Sequence, residues 1–200
     1  MTATENSPHK PARKPGPTQD EERRLHAAGF ASVVGIDEVG RGPIAGPVVA
    51  GAVVLPDLEG FEHVDFHLIR DSKTLSGPQL QRANALVREI ALGASVGECS
   101  SDEIDVLGIA PATRQAMRRA LDGLPEAPTH LLIDAFPLDW HLVPCTPIIK
   151  GDALCTAISA ASIIAKVYRD GLMEKMDVEH PGYGLAGHKG YASAIHLEAV

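Results

Sequence analysis

Two short apolar runs, residues 31–36 and 48–55, are separated by a stretch that holds Gly40, Gly42, Pro43 and Gly46. That pattern predicts a hairpin: a strand ending at Ile36, a turn, and a second strand from Val48 to Leu55. A polar loop follows over residues 56–75. Ser76 then suits a helix N-cap, with Pro78 in the first turn and Leu80, Ala83, Leu86, Val87 and Ile90 recurring at helical spacing. A third strand is expected over residues 94–99. Residues 101–104 should open only a short turn, and a helix over 111–121 carries Ala112, Ala116, Met117, Ala120 and Leu121 on one face. Strands are expected at 129–134 and 147–149. A long helix over 153–176 follows, its first half dense in Ala and Ser, which would let it lie close against a sheet. Strands alternating with helices read as α/β, and no internal repeat is visible.

Residues 1–24 are rich in Pro, Lys, Thr and Glu without periodicity, which predicts a disordered tail and an ordered domain over residues 25–200. No run approaches the roughly 20 apolar residues that cross a bilayer, and the first residues lack the apolar stretch of a secretory signal, so cytoplasmic residence is expected. With 44% hydrophobic and 22% charged residues the chain suits one domain, and with only 4% aromatics its core must be built from Ala, Val, Leu and Ile. A net charge of −8 argues against a protein that holds nucleic acid by bulk positive charge. It leaves room for an enzyme that grips a few phosphates locally around an acidic pocket. Three cysteines without CxxC or Cys/His spacing read as reduced thiols rather than a zinc site.

The chemistry concentrates where strands end. Asp37 and Glu38 close the first strand, where two anions are costly unless a cation pairs with them, and oxygen ligands suit magnesium or manganese. Asp134 closes another strand, and Asp152 opens a helix after a glycine. If the two strands are neighbours, their C-terminal ends and the helix start converge where α/β sheets place their sites. Four carboxylates there could hold two divalent ions about 4 Å apart. Consecutive strand residues point to opposite faces, so Asp37 and Glu38 share a site only if the strand bends or Glu38 also offers its carbonyl. Taken singly, Gly40-Arg41-Gly42 is a tight turn, Asp134 a strand-end cap and Asp152 a helix N-cap; their joint occurrence favours a metal site. Asp170 lies eighteen positions beyond Asp152, about 27 Å along an unbroken helix, and reads as an ion-pair or capping residue. Trp140 reads as a packing anchor.

The segments GIDEVGRGPIAGPVVAGAVVL (35–55), DSK (71–73), LLID (131–134), KGD (150–152), AASIIAKVYRD (160–170) and HKGY (188–191) resemble, in content and order, the type 2 ribonucleases H, specifically bacterial ribonuclease HII. The resemblance runs from about residue 30 to the end. It implies a ribonuclease-H-like fold, a mixed β-sheet flanked by helices. It further implies metal-dependent hydrolysis of the RNA strand of RNA/DNA hybrids and incision 5′ to single ribonucleotides in duplex DNA, leaving 3′-hydroxyl and 5′-phosphate ends. By motif position Asp37, Glu38, Asp134 and Asp152 would be the metal carboxylates for Mg2+ or Mn2+, with Asp37 the bridge. Gly40, Arg41 and Gly42 would read the 2′-hydroxyl through backbone groups, and Tyr191 would stack on the deoxyribose that follows. Ser72, Lys73 and Lys189 would hold phosphates, and His188 is expected to touch substrate. A monomer is expected. The chain departs from the resemblance at Ala135, where a glycine is common, at Gly108, where an asparagine is common, and at Leu154-Cys155-Thr156, commonly polar or basic. By the resemblance, a further C-terminal segment would be expected after Val200.

Two other classes fit less well. A binding protein that had lost catalysis should lack one of the acids, and none is missing. A nucleotide-binding α/β module would want GxGxxG opening a helix, whereas residues 48–55 continue as a strand. Within the enzyme class, the sibling type 3 ribonuclease H is the closest competitor.

Overall fold

The computed structural model describes residues 16–200. Five strands form one sheet in the order β3-β2-β1-β4-β5. β1 (Val33–Val39) and β2 (Val48–Val54) make the expected hairpin, and β3 (Gly93–Cys99) continues it antiparallel on β2. β4 (His130–Asp134) runs parallel to β1, and β5 (Cys145–Ile148) parallel to β4. The sheet is therefore mixed, and helices cover both faces, as the sequence predicts.

On one face lie α2 (Gly77–Ile90) and α6 (Thr156–Glu179), whose Ala157, Ile158, Ala160, Ala161, Ile163 and Ile164 are fully buried. The small residues have a counterpart in the sheet: a Cβ on Gly35 would collide with the Ala157 backbone, and one on Gly51 with the Ala161 carbonyl. Glycine facing alanine brings the helix backbone onto the strands, and either glycine given a side chain would force them apart. The opposite face carries α4 (Ile109–Asp122), which buries Ala112, Ala116, Met117, Ala120 and Leu121 against Val34, Ile36, Leu131 and Ile133.

Three expectations are corrected. The ordered chain begins before residue 25: Asp20–Ala27 is a helix, α1, and within it Glu22 is buried. Gln19 bridges to the Pro56 carbonyl and the Leu58 amide, and Thr18 pairs with Cys155. Long-range pairing overrides the tail-like composition; the expected disorder of residues 1–15 lies outside the described residues. The long helix is also broken. A four-residue turn, α5 (Gly151–Leu154), precedes it, and Cys155 adopts an extended backbone because Leu154 and Thr156 bond to Thr18. Finally, residues 101–104 open a true helix, α3 (Ser101–Leu107), closed at its start by a reciprocal Ser100 and Glu103 capping box. Two further turns of helix, α7 (Leu185–His188) and α8 (Ala194–Ala199), end the chain. Among the described residues no helix is long and apolar enough to cross a membrane.

Candidate active site

The parallel strands bring the acids together. Ile36 pairs with Ile133 at the last rung of the β1/β4 ladder, so Asp37 and Asp134 are the next residues of adjacent strands. They also share a face. Gly35 lies against α6, and Leu132 packs in the same layer, so the alternation along each strand turns Asp37 and Asp134 toward that helix. Asp152 arrives from the turn after β5, and the Gly151 amide donates to Asp134 Oδ1 at 2.7 Å, tying the second strand end to the third. Two residues here hold left-handed backbone without being glycine: Ala135 at φ 66° and Lys150 at φ 60°. Strain of this kind persists only where the surroundings enforce it.

Glu38 takes the other side. The bend the sequence calls for does not occur within the strand, since Asp37 and Glu38 both stay in register with β2, opposite Gly51 and Ala50. The chain turns only at Gly40, with φ 104°, where a Cβ would meet the Pro47 carbonyl oxygen at 2.5 Å. Glu38 accepts from Arg41 at 3.3 Å, and the Arg41 guanidinium lies 5.0 Å from the centroid of the Phe136 ring. Glu38 Oε2 is buried and, among the described residues, has no hydrogen-bond partner.

The electrostatics are those of anions held close. Burial, then the charges of Glu38 and Asp134, push the Asp37 carboxyl well above its ordinary range, against opposing hydrogen bonds from Ser162 and the Glu38 amide. Burial raises Glu38 despite Arg41, and burial with the charge of Asp152 raises Asp134 despite the Gly151 amide. Lys73 donates to Asp152 Oδ2 at 3.0 Å. Desolvation would lower the Lys73 pKa, but Asp152, with Asp37 and Asp71 behind it, carries it above its usual value. Each outer carboxylate thus has its own cation, and among the described residues no three of Asp, Glu, His and Cys are gathered as a ready metal-binding group. The donor set nonetheless fits a hard divalent ion: it is all carboxylate oxygen, and an orphaned buried oxygen costs about 1–3 kcal/mol until something satisfies it.

The remaining expected residues divide. Tyr191, half exposed, comes to the glycine turn: a Cβ on Gly42 would lie 3.5 Å from its ring. Gly40, Arg41, Gly42 and Tyr191 therefore form one patch beside the acids. Lys189 lies next to it, its ammonium on Glu174 at 2.8 Å. Ser72 is not on the rim expected of a phosphate ligand: it is buried, its hydroxyl 2.9 Å from that of Ser162 in the wall behind Asp37. His188 is occupied internally, with Nε2 on the Tyr183 carbonyl and its ring stacked on His196. Asp170 pairs with Lys166 one helical turn away, and Trp140 donates to Asp122 against the α4 core.

Sequence reasoning passed over Ser162 and Arg169. Arg169 is wholly buried beneath the patch. Its signal was positional, because 162, 165, 169 and 173 trace one helical stripe whose other members are small or apolar.

Residues 34–200 match the family described as Ribonuclease HII. The chain is 45% identical over 184 residues to the ribonuclease HII of Dehalococcoides mccartyi strain BAV1, an alignment covering 92% of this chain and 86% of that one. It is also 45% identical over 182 residues to that of Moorella thermoacetica, covering 90% and 84%. Among solved structures, the ribonuclease H2 of Pyrococcus horikoshii OT3 superposes with a TM-score of 0.69 at 28% identity, covering 84% of this chain and 83% of that one. Bst-RNase HIII in complex with Mn2+ gives a TM-score of 0.68 at 22% identity over 98% of this chain and 66% of that one, a likeness of fold. With its strand-end acids, its mixed sheet and these similarities, the chain belongs to the ribonuclease HII family.

Proposed function

We propose that this ribonuclease is a metal-dependent endonuclease that hydrolyses the RNA strand of RNA/DNA hybrids and incises duplex DNA 5′ to a single embedded ribonucleotide, leaving 3′-hydroxyl and 5′-phosphate ends. The observation that carries the reading is the pairing of two features: raised, mutually repelling carboxylates at Asp37, Glu38 and Asp134, and a glycine turn in contact with an exposed tyrosine immediately beside them.

Asp37, Glu38, Asp134 and Asp152 would hold two divalent ions, Mg2+ or Mn2+. Bound there, such ions supply an activated water and neutralise the departing 3′-oxygen. Asp37, facing the same way as Asp134 and next to Glu38, is the carboxylate best placed to serve both. Lys73, mostly exposed and already at Asp152, can transfer its charge to a substrate phosphate, and Lys189 can do the same by leaving Glu174. Ser72 acts behind the site, through Ser162, on the orientation of Asp37. The Gly40-Arg41-Gly42 backbone reads the 2′-hydroxyl, the group that distinguishes a ribonucleotide from its DNA neighbours, and Tyr191 stacks on the next sugar. No side-chain nucleophile is needed. The cysteines are unsuited to that part, because burial raises the pKa of Cys99, Cys145 and Cys155 and keeps them protonated.

The test is cleavage of a DNA duplex carrying one ribonucleotide, beside a uniform RNA/DNA hybrid, with Mg2+, Mn2+ or EDTA. Metal-dependent incision on the 5′ side of the lone ribonucleotide is expected. Cleavage of the hybrid alone would remove the roles given to the turn and Tyr191, and activity undiminished in EDTA would remove the metal site.

A further inference from the structure

Arg169 is fully buried, yet among the described residues no carboxylate forms an ion pair with it. An arginine charge inside a protein is tolerated only if its donors are met. Here backbone carbonyls meet them: Nε donates to Pro47 O at 2.9 Å, one terminal nitrogen to Ala45 O at 3.1 Å and the other to Lys189 O at 2.8 Å. Two of these acceptors lie on the segment that leaves the Gly40-Arg41-Gly42 turn. The third lies two residues before Tyr191. These loops are far apart in sequence, and one guanidinium spans them.

The contacts around it are equally close. The Ile44 amide donates to Gly190 O at 2.9 Å, which joins the loops directly. Gly190 has φ 85°, and a Cβ there would collide with the Ala45 carbonyl. A Cβ on Gly46 would meet Met173 Sδ, one turn beyond Arg169, at 2.5 Å. Neither loop can shift against the other without breaking a bond to Arg169 or entering an occupied volume. The spacing so fixed is that between the Gly42 backbone and the Tyr191 ring.

We infer that Arg169 is a positioning residue for substrate choice: by clamping the turn and the tyrosine loop onto α6 at one separation, it sets the match to a lone ribonucleotide followed by a deoxyribonucleotide. The inference rests on the reading of the turn and Tyr191 proposed above. A lone ribonucleotide offers one productive register, so a misplacement near 1 Å is costly, on the order of 10²-fold. A uniform hybrid offers a 2′-hydroxyl at every step and tolerates a displaced loop. Lysine cannot replace the clamp, because a single ammonium does not present the forked donors that reach three diverging carbonyls.

The experiment measures kcat and KM of the full chain on both substrates for the wild type, Arg169→Lys and Gly190→Ala. In both variants the ratio of kcat/KM on the single-ribonucleotide duplex to that on the hybrid should fall about 10-fold or more, with much of the change in KM for the duplex. A role confined to stability would lower the folded fraction and scale both substrates together, leaving the ratio unchanged; that result overturns the inference. Gly190→Ala keeps Arg169 and forces the loops apart at the Ala45 carbonyl, so it decides the matter if Arg169→Lys does not fold. Failure of the wild type to incise the single-ribonucleotide duplex would instead sink the underlying reading, and the inference with it.

Discussion

Arg169 and Asp37 both bring charge into the interior beside α6, and their surroundings treat them in opposite ways. Among the described residues Arg169 has no ionic partner, yet a backbone carbonyl meets each of its three nitrogens. The charges of Glu38 and Asp134 press on Asp37, and among the described residues neighbouring Glu38 keeps one oxygen without a hydrogen-bond partner. A buried charge whose every nitrogen already has an acceptor acts in structure. A buried charge crowded by its own sign is held at a cost that a proton or an added cation would offset. The difference separates the part of the molecule that holds the chemistry from the part that holds the shape.

The largest test of that contrast is Asp37→Asn. Cleavage should fall on the order of 10³-fold, while the metal-free protein should become more stable near neutral pH. Because the Asp37 pKa is raised in the folded state, the folded protein binds that proton more tightly than the unfolded chain. Its favourable contribution is therefore present below the unfolded carboxylate value, about 4, and is lost as pH rises through the folded pKa. A tenfold difference in proton affinity between the folded and unfolded chain is worth about 1.4 kcal/mol, or roughly 3–6 °C in Tm for a domain of this size. The Tm difference between Asp37→Asn and the wild type should thus grow in favour of the variant from pH 5 to pH 8, by scanning calorimetry in EDTA. His130, whose pKa burial lowers, acts on both proteins alike and cancels in the difference. A variant less stable at pH 8 than at pH 5, relative to wild type, would mean that Asp37 is a met charge after all.

Much of the unmet cluster is legible in the sequence, and little of the met one is. The acids announce themselves because carboxylates at the ends of apolar strands break a local pattern, and the Gly/Pro content of residues 40–47 marks the turn beside them. The direction of Glu38 is open in the sequence, because strand alternation and a shared site make opposite demands, and in the fold the alternation prevails. Arg169 stands in KVYRD as a charged residue in mid-helix, where its place on a stripe of small and apolar residues hints at burial but the partners from residues 45, 47 and 189 are not legible. The break at Cys155 depends on Thr18 in the same way. α3 buries no residue, so it has no periodic signal, and only its Ser100/Glu103 cap marks where it starts.

Glu22 sharpens the contrast because it looks like the acids of the site. It is buried, burial raises its pKa, and Oε2 has no partner. What separates it is its place on α1 rather than at a strand end: its Oε1 accepts the Ala157 amide at 2.8 Å in the first turn of α6, where helix donors lack intrahelical acceptors, so it ties one helix to another. Glu22→Ala should therefore cost about 1–3 kcal/mol in urea unfolding and leave the cleavage rate of the folded protein within about twofold of wild type. A loss of cleavage comparable to that of Asp37→Asn, without loss of stability, would place Glu22 in the chemistry and dissolve the distinction.

The smallest effect tests whether the backbone at the site carries strain of its own. Ala135 follows Asp134 directly and sits at φ 66°, held there by its amide on Ile148 O and by the Phe136 amide on Asp134 O. The left-handed region costs an L-residue about 1–2 kcal/mol, and glycine removes that cost while adding roughly 0.4–1 kcal/mol of unfolded-state entropy. Ala135→Gly should then gain about 0.5–1 kcal/mol net, a Tm rise of about 1–4 °C, with Asp134 still held by the Gly151 amide and cleavage little changed. A fall in Tm would show that the methyl group contributes packing worth more than the strain. The position after the third acid would then belong with Arg169, among the groups whose needs the fold already meets.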